Sequence, residues 1–219
     1  MINKLAEVDF PTYWAEFRLM AFEGYDHRRQ PKRPEALLAL VLGDLHRTVP
    51  IVRIHSQCTT GDVFHSLRCD CHDQLHLALE SIAKHGSGAI VYEHQEGRGI
   101  GLIEKLRAYE LQDQGLDTIE ANLELGHPVD LRDYALPVEV LRALGLRSVQ
   151  LLTNNPEKIA AVRAGGIEIV KRLSADVEYN PHSARYLSTK RLKLGHLSSA
   201  ASEPHTGPAH RQRCRKQAQ

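Results

Sequence analysis

Three cysteines lie close together in the sequence and are the residues best suited to chemistry. Ten residues separate Cys58 from Cys69, and a single residue separates Cys69 from Cys71. A loop that folds back over the close pair can bring all three thiolates to one ion, and zinc favours thiolate ligands in tetrahedral geometry. Three protein ligands leave a fourth position for water, which is typical of catalytic zinc sites. The spacing therefore predicts one zinc ion at these three cysteines.

Two other interpretations of the cysteines stay open at this point. A fourth ligand from a neighbouring histidine, or from the distant Cys214, would make the site structural rather than catalytic. The cysteines can also be buried without metal. The histidines near enough to serve as that ligand are His55, His65 and His72.

A three-thiolate zinc site has an unfavourable charge for activating water. Three thiolates and one Zn2+ carry a net charge of about −1, so nearby cations or N–H donors must help to acidify a bound water. Arg68 and the backbone N–H groups around Gly61 and Asp62 are the candidates for that role.

Further polar segments have the composition of a phosphate-binding site. The glycines of the segment 96–101 allow a ligand to approach the backbone closely before a helix begins. The segments 130–134 and 153–158 are polar where a core element would be apolar. In the same order, the three segments also fit an ordinary strand-to-helix turn, a salt-bridged loop and a capped helix. Together with Arg53, they supply cations that can surround a triphosphate, namely Arg98, Arg132 and Lys158.

The elements that must position these residues follow from hydrophobic periodicity. Short runs rich in Leu, Val and Ile predict strands at 37–42, 51–54, 89–92, 149–152 and 167–170. Helical spacing with glycine stops predicts helices at 71–86, 102–115, 137–145 and 155–166. The order of the elements indicates an α/β or mixed α+β fold, a single compact domain with one main mixed sheet flanked by helices.

The composition excludes several classes of function. The chain of 219 residues is 42% apolar and 25% charged, as is usual for a globular protein. A formal charge of +1 and an aromatic content of 5% argue against nucleic-acid partners. Residues 1–10 lack a continuous apolar run, and no stretch of about 18 apolar residues occurs. We therefore expect a cytoplasmic protein with no membrane partner.

The last residues differ in composition from the rest. From residue 198 the chain is rich in Ser, Ala, Pro, His, Arg and Gln without periodicity, which predicts a disordered polar tail at 198–219 after a domain at 1–197. The basic run at 210–216 can contact RNA or phosphate, although a solvated tail is the better interpretation.

A series of short motifs extends over the chain almost to His196. They lie at 53–58, 60–62, 66–71, 95–98, 100–102, 107–109, 111–115, 117–118, 120–122 and 151–156. In identity and order they resemble the GTP cyclohydrolase II family of riboflavin biosynthesis. The resemblance implies a GTP cyclohydrolase II-like fold for residues 1–197, a homodimer, one zinc ion per chain at the three cysteines, and Mg2+ with the pyrophosphate.

The resemblance also implies roles for individual residues. Asp130 corresponds to the proton acceptor, Arg132 to a proposed nucleophile or phosphate-activating group, and Tyr109 to the tyrosine of the later deformylating step. The implied GTP contacts are Arg53, Ile54, His55, Ser56, Gln57, Gln74, Glu96, Gly97, Arg98, Thr118, Thr153 and Lys158.

Two residues depart from the family pattern. The family usually has Glu where this chain has Gln57, and Gly where it has His72. Gln57 keeps an acceptor, adds N–H donors and loses a charge. His72 follows Cys71 directly, and adjacent side chains seldom bind one tetrahedral ion without strain.

The implied reaction opens the guanine imidazole ring of GTP and releases formate and pyrophosphate. The product is 2,5-diamino-6-(5-phosphoribosylamino)pyrimidin-4-one, the first intermediate of riboflavin biosynthesis or of a related specialised pathway. Two alternatives are a sister cyclohydrolase that stops at the formamide and a non-catalytic, zinc-stabilised nucleotide-binding module. Tyr109 argues against the first alternative, and Glu96, Asp130 and Arg132 argue against the second.

Overall fold

The computed structural model describes residues 2–25, 34–178, 180–183, 187–188 and 195–197. The strands in these ranges are β1 (Ile2–Pro11), β2 (Glu16–Tyr25), β3 (Pro34–Leu42), β4 (Ile51–Ser56), β5 (Gly88–Glu93), β6 (Ser148–Leu152) and β7 (Glu168–Leu173). The α-helices are α1 (Cys71–His85), α2 (Leu102–Asp113), α3 (Thr118–Glu124), α4 (Ala135–Ala143) and α5 (Pro156–Ala164).

The strands form one mixed sheet in the order β1-β2-β3-β5-β4-β6-β7. Three pairs are antiparallel: β1 with β2, β2 with β3, and β3 with β5. The other three are parallel: β5 with β4, β4 with β6, and β6 with β7. The prediction of one main mixed sheet flanked by helices is therefore confirmed. Because the carboxyl ends of parallel strands meet at one edge of a sheet, the residues after β4, β5 and β6 lie close together there.

The sheet separates two apolar clusters. One face packs Val52, Ile54 and Val91 against Leu141 of α4 and Val162 of α5. The opposite face includes Ile51, Ile90 and Leu152, packed against Ala78, Leu79 and Ile82 of α1. Successive strand residues contribute to opposite faces, as the pleat requires. The central strands β4 and β5 are thus buried on both sides, which gives the site at their carboxyl ends a rigid support.

All the predicted strands and helices are present, with differences at their ends. The third predicted helix begins at Ala135 rather than at Pro137. Pro137 still lies in the first turn, where a backbone N–H has no partner within the helix and a proline is tolerated. Three elements were not predicted from the sequence: β1, β2 and α3.

The predicted tail lies outside the described residues. This applies to 198–219, with its basic run and Cys214, so the boundary at 197 stays a prediction. Among the helices that the structure describes, none has the length and apolar character needed to cross a bilayer.

Asn155 connects the edge of the sheet to α5. Its Oδ1 accepts a hydrogen bond from the Glu157 N–H at 2.8 Å, as predicted for an N-cap, and its Nδ2 donates to the Tyr134 hydroxyl at 3.1 Å. The cap fixes the start of the helix that carries Lys158 into the interior.

Replacing Asn155 with alanine should lower the free energy of unfolding by about 1–2 kcal/mol, because the helix loses its N-cap. Asn155→Ser should retain most of the stability, since its hydroxyl can still accept the Glu157 N–H. Urea denaturation of the three proteins measures the difference. An equal loss in both variants would show that the Tyr134 bond, rather than the cap, stabilises this region.

Candidate metal centre and adjoining pocket

The three predicted thiols converge. Cys58 follows β4, Cys69 ends the next loop and Cys71 is the first residue of α1. Their sulfur atoms all lie within 4.8 Å of one another, and the Cys58 and Cys69 sulfurs are 3.6 Å apart. Within the described ranges this is the only group of three or more His, Cys, Asp or Glu side chains with such convergence. The donor set is that of a zinc site with three thiolates.

A wide helical turn at Thr59–Val63 folds the loop back over the close pair. The Asp62 N–H donates to the Cys58 carbonyl at 2.6 Å, which closes the turn. Gly61 lies against the sulfurs, since a Cβ atom there would be 2.9 Å from the Cys69 sulfur and 3.1 Å from that of Cys58. Only glycine lets the backbone approach this closely. The loop is therefore shaped around the thiol cluster.

Lys105 of α2 supplies the cation that the thiols need. Its ammonium donates to the Cys58 sulfur at 3.0 Å and to Glu96 Oε1 at 2.8 Å. Hydrogen bonds with Cys69 and Cys71 lower the pKa of the Cys58 thiol, and the Lys105 charge and hydrogen bond lower it further against the effect of burial. With zinc bound, Lys105 would offset the charge of about −1 on a three-thiolate site.

Lys105 was not identified from the sequence, which pointed to Arg68 instead. The Arg68 guanidinium pairs with Asp113 at 2.6 Å and lies 4.9 Å from the centroid of the Tyr109 ring. The available signal was the spacing of Lys105 and Tyr109, which are four residues apart and therefore share one face of α2.

A pocket opens over the thiols and brings most of the predicted site residues together. Lys105 and Arg68 also line it. The predicted residues in its wall are Ser56, Gln57, Cys58, Cys69, Cys71, Glu96, Gly97, Arg98, Tyr109, Thr118 and Arg132. The predicted residues outside the wall are Arg53, Ile54, His55, Gln74, Asp130, Thr153 and Lys158.

Ser56, another residue of the pocket wall, joins two cations. Its hydroxyl donates to Glu93 Oε1 at 2.6 Å and accepts from Arg132 Nη1 and Lys158 Nζ, each at 3.4 Å. Lys158 also donates to the Ile54 carbonyl at 2.9 Å, which holds its ammonium at the carboxyl end of β4. The pocket thus has two positively charged regions, one beside the thiols and one around Ser56.

Asp130 holds Arg132 in place. The guanidinium is bound by both carboxylate oxygens, with Nε 2.9 Å from Oδ1, and Arg98 Nη1 lies 3.7 Å from Oδ2. Burial acts to raise the pKa of the Asp130 carboxyl, but Arg132 and the Arg98 charge outweigh it and keep the pKa below its usual value. Asp130 is therefore ionised and orients both arginines.

Arg53 and His55 form an interior network beneath the loop 57–70, which carries Cys58 and Cys69 and is called the metal loop below. Arg53 Nε donates to His55 Nδ1 at 3.2 Å, which leaves the proton on Nε2 to be donated to Asp62 at 3.1 Å. Burial lowers the pKa of His55 to about 4, so the ring is neutral at pH 7. Arg53 Nη2 also donates to Gln74 Oε1 at 2.7 Å. In this structure these predicted GTP contacts support the loop.

Glu96 and Gln57 are two further predicted contacts, and both hydrogen-bond to Thr59. The Thr59 N–H donates to Glu96 Oε2 at 2.6 Å, directly beside Cys58. Gln57 Nε2 donates to the Thr59 hydroxyl at 3.0 Å, and Gln57 Oε1 lies 2.7 Å from His94 Nδ1. Thr153 is buried, and its hydroxyl accepts from the Asn155 N–H at 3.1 Å.

Comparison with known proteins gives a direct assignment. A family model described as GTP cyclohydrolase II matches residues 3–174. The chain belongs to the GTP cyclohydrolase II family. The resemblance found from the motifs is therefore confirmed.

Relatives in this family are similar over nearly the whole chain. A GTP cyclohydrolase-2 of Proteus mirabilis is 48% identical over 201 residues, which cover 90% of this chain and 96% of that protein. A GTP cyclohydrolase-2 of Neisseria meningitidis is 48% identical over 203 residues, or 91% and 98% of the two chains. A riboflavin biosynthesis protein RibBA of Chlorobium phaeovibrioides is also 48% identical, but this chain spans only 48% of its length.

Replacing any one thiol with a hydroxyl should remove the metal. We expect Cys58→Ser, Cys69→Ser and Cys71→Ser each to lose zinc, because each removes one of three ligands, while circular dichroism shows the fold retained. Elemental analysis measures zinc per chain. Cys214→Ser is the control and should keep one zinc ion. One zinc ion per chain in all three variants would contradict the assignment of these thiols as the zinc ligands.

Lys105→Met should weaken zinc binding by roughly 10–100-fold, because the Cys58 thiolate loses its hydrogen bond and its compensating charge. Competition with a coloured chelator measures the affinity. Lys84→Met is a matched control, since Lys84 is exposed and pairs with Glu80 far from the thiols. Equal affinity in the Lys105 variant and wild type would remove Lys105 from the metal centre.

Proposed function

We propose that this protein hydrolyses GTP to 2,5-diamino-6-(5-phosphoribosylamino)pyrimidin-4-one, formate and pyrophosphate. The observation that carries the proposal is the placement of a three-thiol cluster and an arginine pair in the wall of one pocket, in a chain of the GTP cyclohydrolase II family. The pocket offers separate surroundings for the base and for the triphosphate. The names of the relatives support riboflavin biosynthesis as the pathway.

The thiol end of the pocket suits the guanine base. Zinc held by Cys58, Cys69 and Cys71 would act as a Lewis acid that activates water for addition to C8, the carbon between two ring nitrogens. Tyr109 lines the same end, and burial raises the pKa of its phenol to about 12, so it carries a proton at pH 7. That proton can be passed on when the formamide is cleaved to formate.

The other end suits the phosphates. Arg98 and Arg132 line the pocket, and Lys158 reaches Ser56 from behind the wall. Fixed cations of this kind stabilise the charge that builds up as pyrophosphate leaves. We place Arg132 as the group that activates the α-phosphate, because a guanidinium with a pKa above about 12 is a poor nucleophile. Mg2+ with the pyrophosphate would add to this neutralisation.

Asp130 and Glu96 take separate parts. Asp130, ionised and paired with Arg132, orients that arginine and can accept a proton from water at the phosphate end. Glu96 accepts from Lys105 and from the Thr59 N–H, so it fixes the loop on which Cys58 lies. The family resemblance further supports a homodimer as the assembly.

Two alternatives have weaker support. A sister enzyme that stops at the formamide would not need Tyr109, yet Tyr109 lies in the pocket beside the thiols. A non-catalytic nucleotide-binding module would not need ionised Asp130 aimed at Arg132. Both features favour the complete reaction.

The direct test incubates the purified full chain with GTP, zinc and Mg2+ and identifies each product by mass. We expect formate, pyrophosphate and the diaminopyrimidine in equal amounts. Formamide without formate would establish the sister activity, and unchanged GTP with one zinc ion bound per chain would establish the binding module. The Cys69→Ser variant is the negative control.

Tyr109→Phe should release less formate and accumulate the ring-opened formamide, because the phenylalanine ring keeps the packing on Arg68 but has no proton to transfer. Mass analysis at several times measures both products. Equal formate yields from the variant and wild type would exclude Tyr109 from the deformylating step.

Gln57→Glu should leave turnover near that of wild type and raise the KM for GTP modestly. Gln57 acts through hydrogen bonds to Thr59 and His94, which a carboxylate can also form with small adjustments. The added negative charge disfavours an anionic nucleotide by about 1 kcal/mol at a few ångströms in a water-like dielectric. Steady-state kinetics measure both constants. A large rise in turnover would show that the charge is catalytic, and complete inactivity would show that the Gln57 N–H serves a ligand.

A further inference from the structure

Three histidines outside the pocket form a stacked group beside the metal loop. His72 lies in the middle, with ring centroids 3.8 Å from His65 and 4.1 Å from His76. His72 and His76 are one turn apart on α1, and His65 reaches them from the loop, with a backbone φ of 54°. The edge of Trp14 contacts His76, with ring centroids 4.9 Å apart.

The imidazoles of this group are suited to bind a ligand. His72 Nδ1 is buried and has no hydrogen-bond partner, which is costly for a polar atom unless something binds it. His65 and His76 are exposed, so their rings can reorient.

We propose that His65, His72 and His76 bind a second divalent transition-metal ion, separate from the ion at the thiols. Two histidines at positions i and i+4 of a helix present their nitrogens on one face and commonly bind one ion. Imidazole nitrogens suit Zn2+, Ni2+ and Cu2+. Three such donors lie on the first turns of α1 and in the loop before it.

Binding requires the stack to rearrange. With metal–nitrogen bonds of about 2.0–2.1 Å, two imidazoles on one tetrahedral ion have centroids about 5 Å apart. In this structure the nitrogens of the three rings do not all lie within 4.8 Å of one another, because His65 and His76 lie on opposite sides of His72. Both outer rings must therefore rotate until their nitrogens point to one position beside His72. Their exposure allows this without disturbing the core.

The two sites can be filled together. Adjacent residues of an α-helix point about 100° apart, so Cys71 and His72 face different sides of α1. The thiols line the pocket, whereas none of the three histidines does, and His76 contacts Trp14 instead. Sulfur donors hold one ion and nitrogen donors the other.

Trp14 provides a local readout, because it is the only tryptophan of the chain. The full-length protein, already loaded with one zinc ion, is titrated with Ni2+, which quenches a nearby indole. We expect quenching of Trp14 fluorescence, one Ni2+ bound per chain after gel filtration, and one zinc ion still present.

His65→Gln should bind no Ni2+ at the concentration that saturates wild type, and its Trp14 should remain unquenched. This variant is chosen because His65 is the ring of the stack farthest from Trp14, so the fluorescence of the free protein should not change. His85→Gln, in the last turn of the same helix, is the matched control and should bind as wild type does. Equal quenching in the His65 variant, loss of zinc on adding Ni2+, or no bound Ni2+ would each overturn the proposal.

Discussion

The mutual repulsion of three converging thiolates is the constraint on which the rest of the site depends. Sulfurs as close as 3.6 Å can be deprotonated together only if positive charge lies among them. Lys105 meets this need at Cys58, and Glu96 holds Lys105 in position. Hydrogen bonds with Cys58, together with burial, raise the pKa of the Cys69 and Cys71 thiols, so a metal ion must supply the remaining charge. Glu96 also accepts a hydrogen bond from the Thr59 N–H. The Glu96–Lys105 ion pair therefore connects the loop after β4, the glycine-containing segment 96–101 and α2. The metal centre and the pocket wall are therefore one electrostatic unit.

A second group of contacts fixes this unit to the sheet. The Asp62 carboxylate accepts from the Cys58 N–H at 3.0 Å, from the Tyr92 hydroxyl at 2.9 Å and from neutral His55. Tyr92 and His55 belong to neighbouring parallel strands that are buried on both faces. The position of Cys58 thus depends on the sheet interior, and this explains why polar residues such as Arg53 lie where apolar residues are usual.

The sequence was sufficient for the parts of the protein that depend on local patterns. The spacing of Cys58, Cys69 and Cys71 predicted their convergence, and the apolar runs predicted the strands that support them. The hairpin of β1 and β2 was missed because most β1 side chains are exposed and show no apolar alternation. The seven-residue helix α3 was missed because it is short, although Asp117 and Glu120 form a capping box at its start.

Other features could not be predicted because they arise from tertiary contacts. Lys105 looks like an ordinary surface lysine in the sequence, and its role follows only from the packing of α2 over the metal loop. Arg53, Gln74 and Lys158 are expected from the resemblance to contact GTP, but whether they do so directly depends on where the strands bury them. A family motif identifies the residues of a site without specifying which of them reach the ligand.

X-ray absorption at the zinc edge of the purified, zinc-loaded protein distinguishes an open three-thiolate site from a closed one. We expect three sulfur neighbours at about 2.3 Å and one lighter neighbour, oxygen or nitrogen, near 2.0–2.1 Å. Without multiple-scattering features of imidazole, that lighter neighbour is water, and the fourth position is open for chemistry. Four sulfur neighbours, or a clear imidazole signal from a zinc ion bound at one per chain, would contradict a three-thiolate site with an open position.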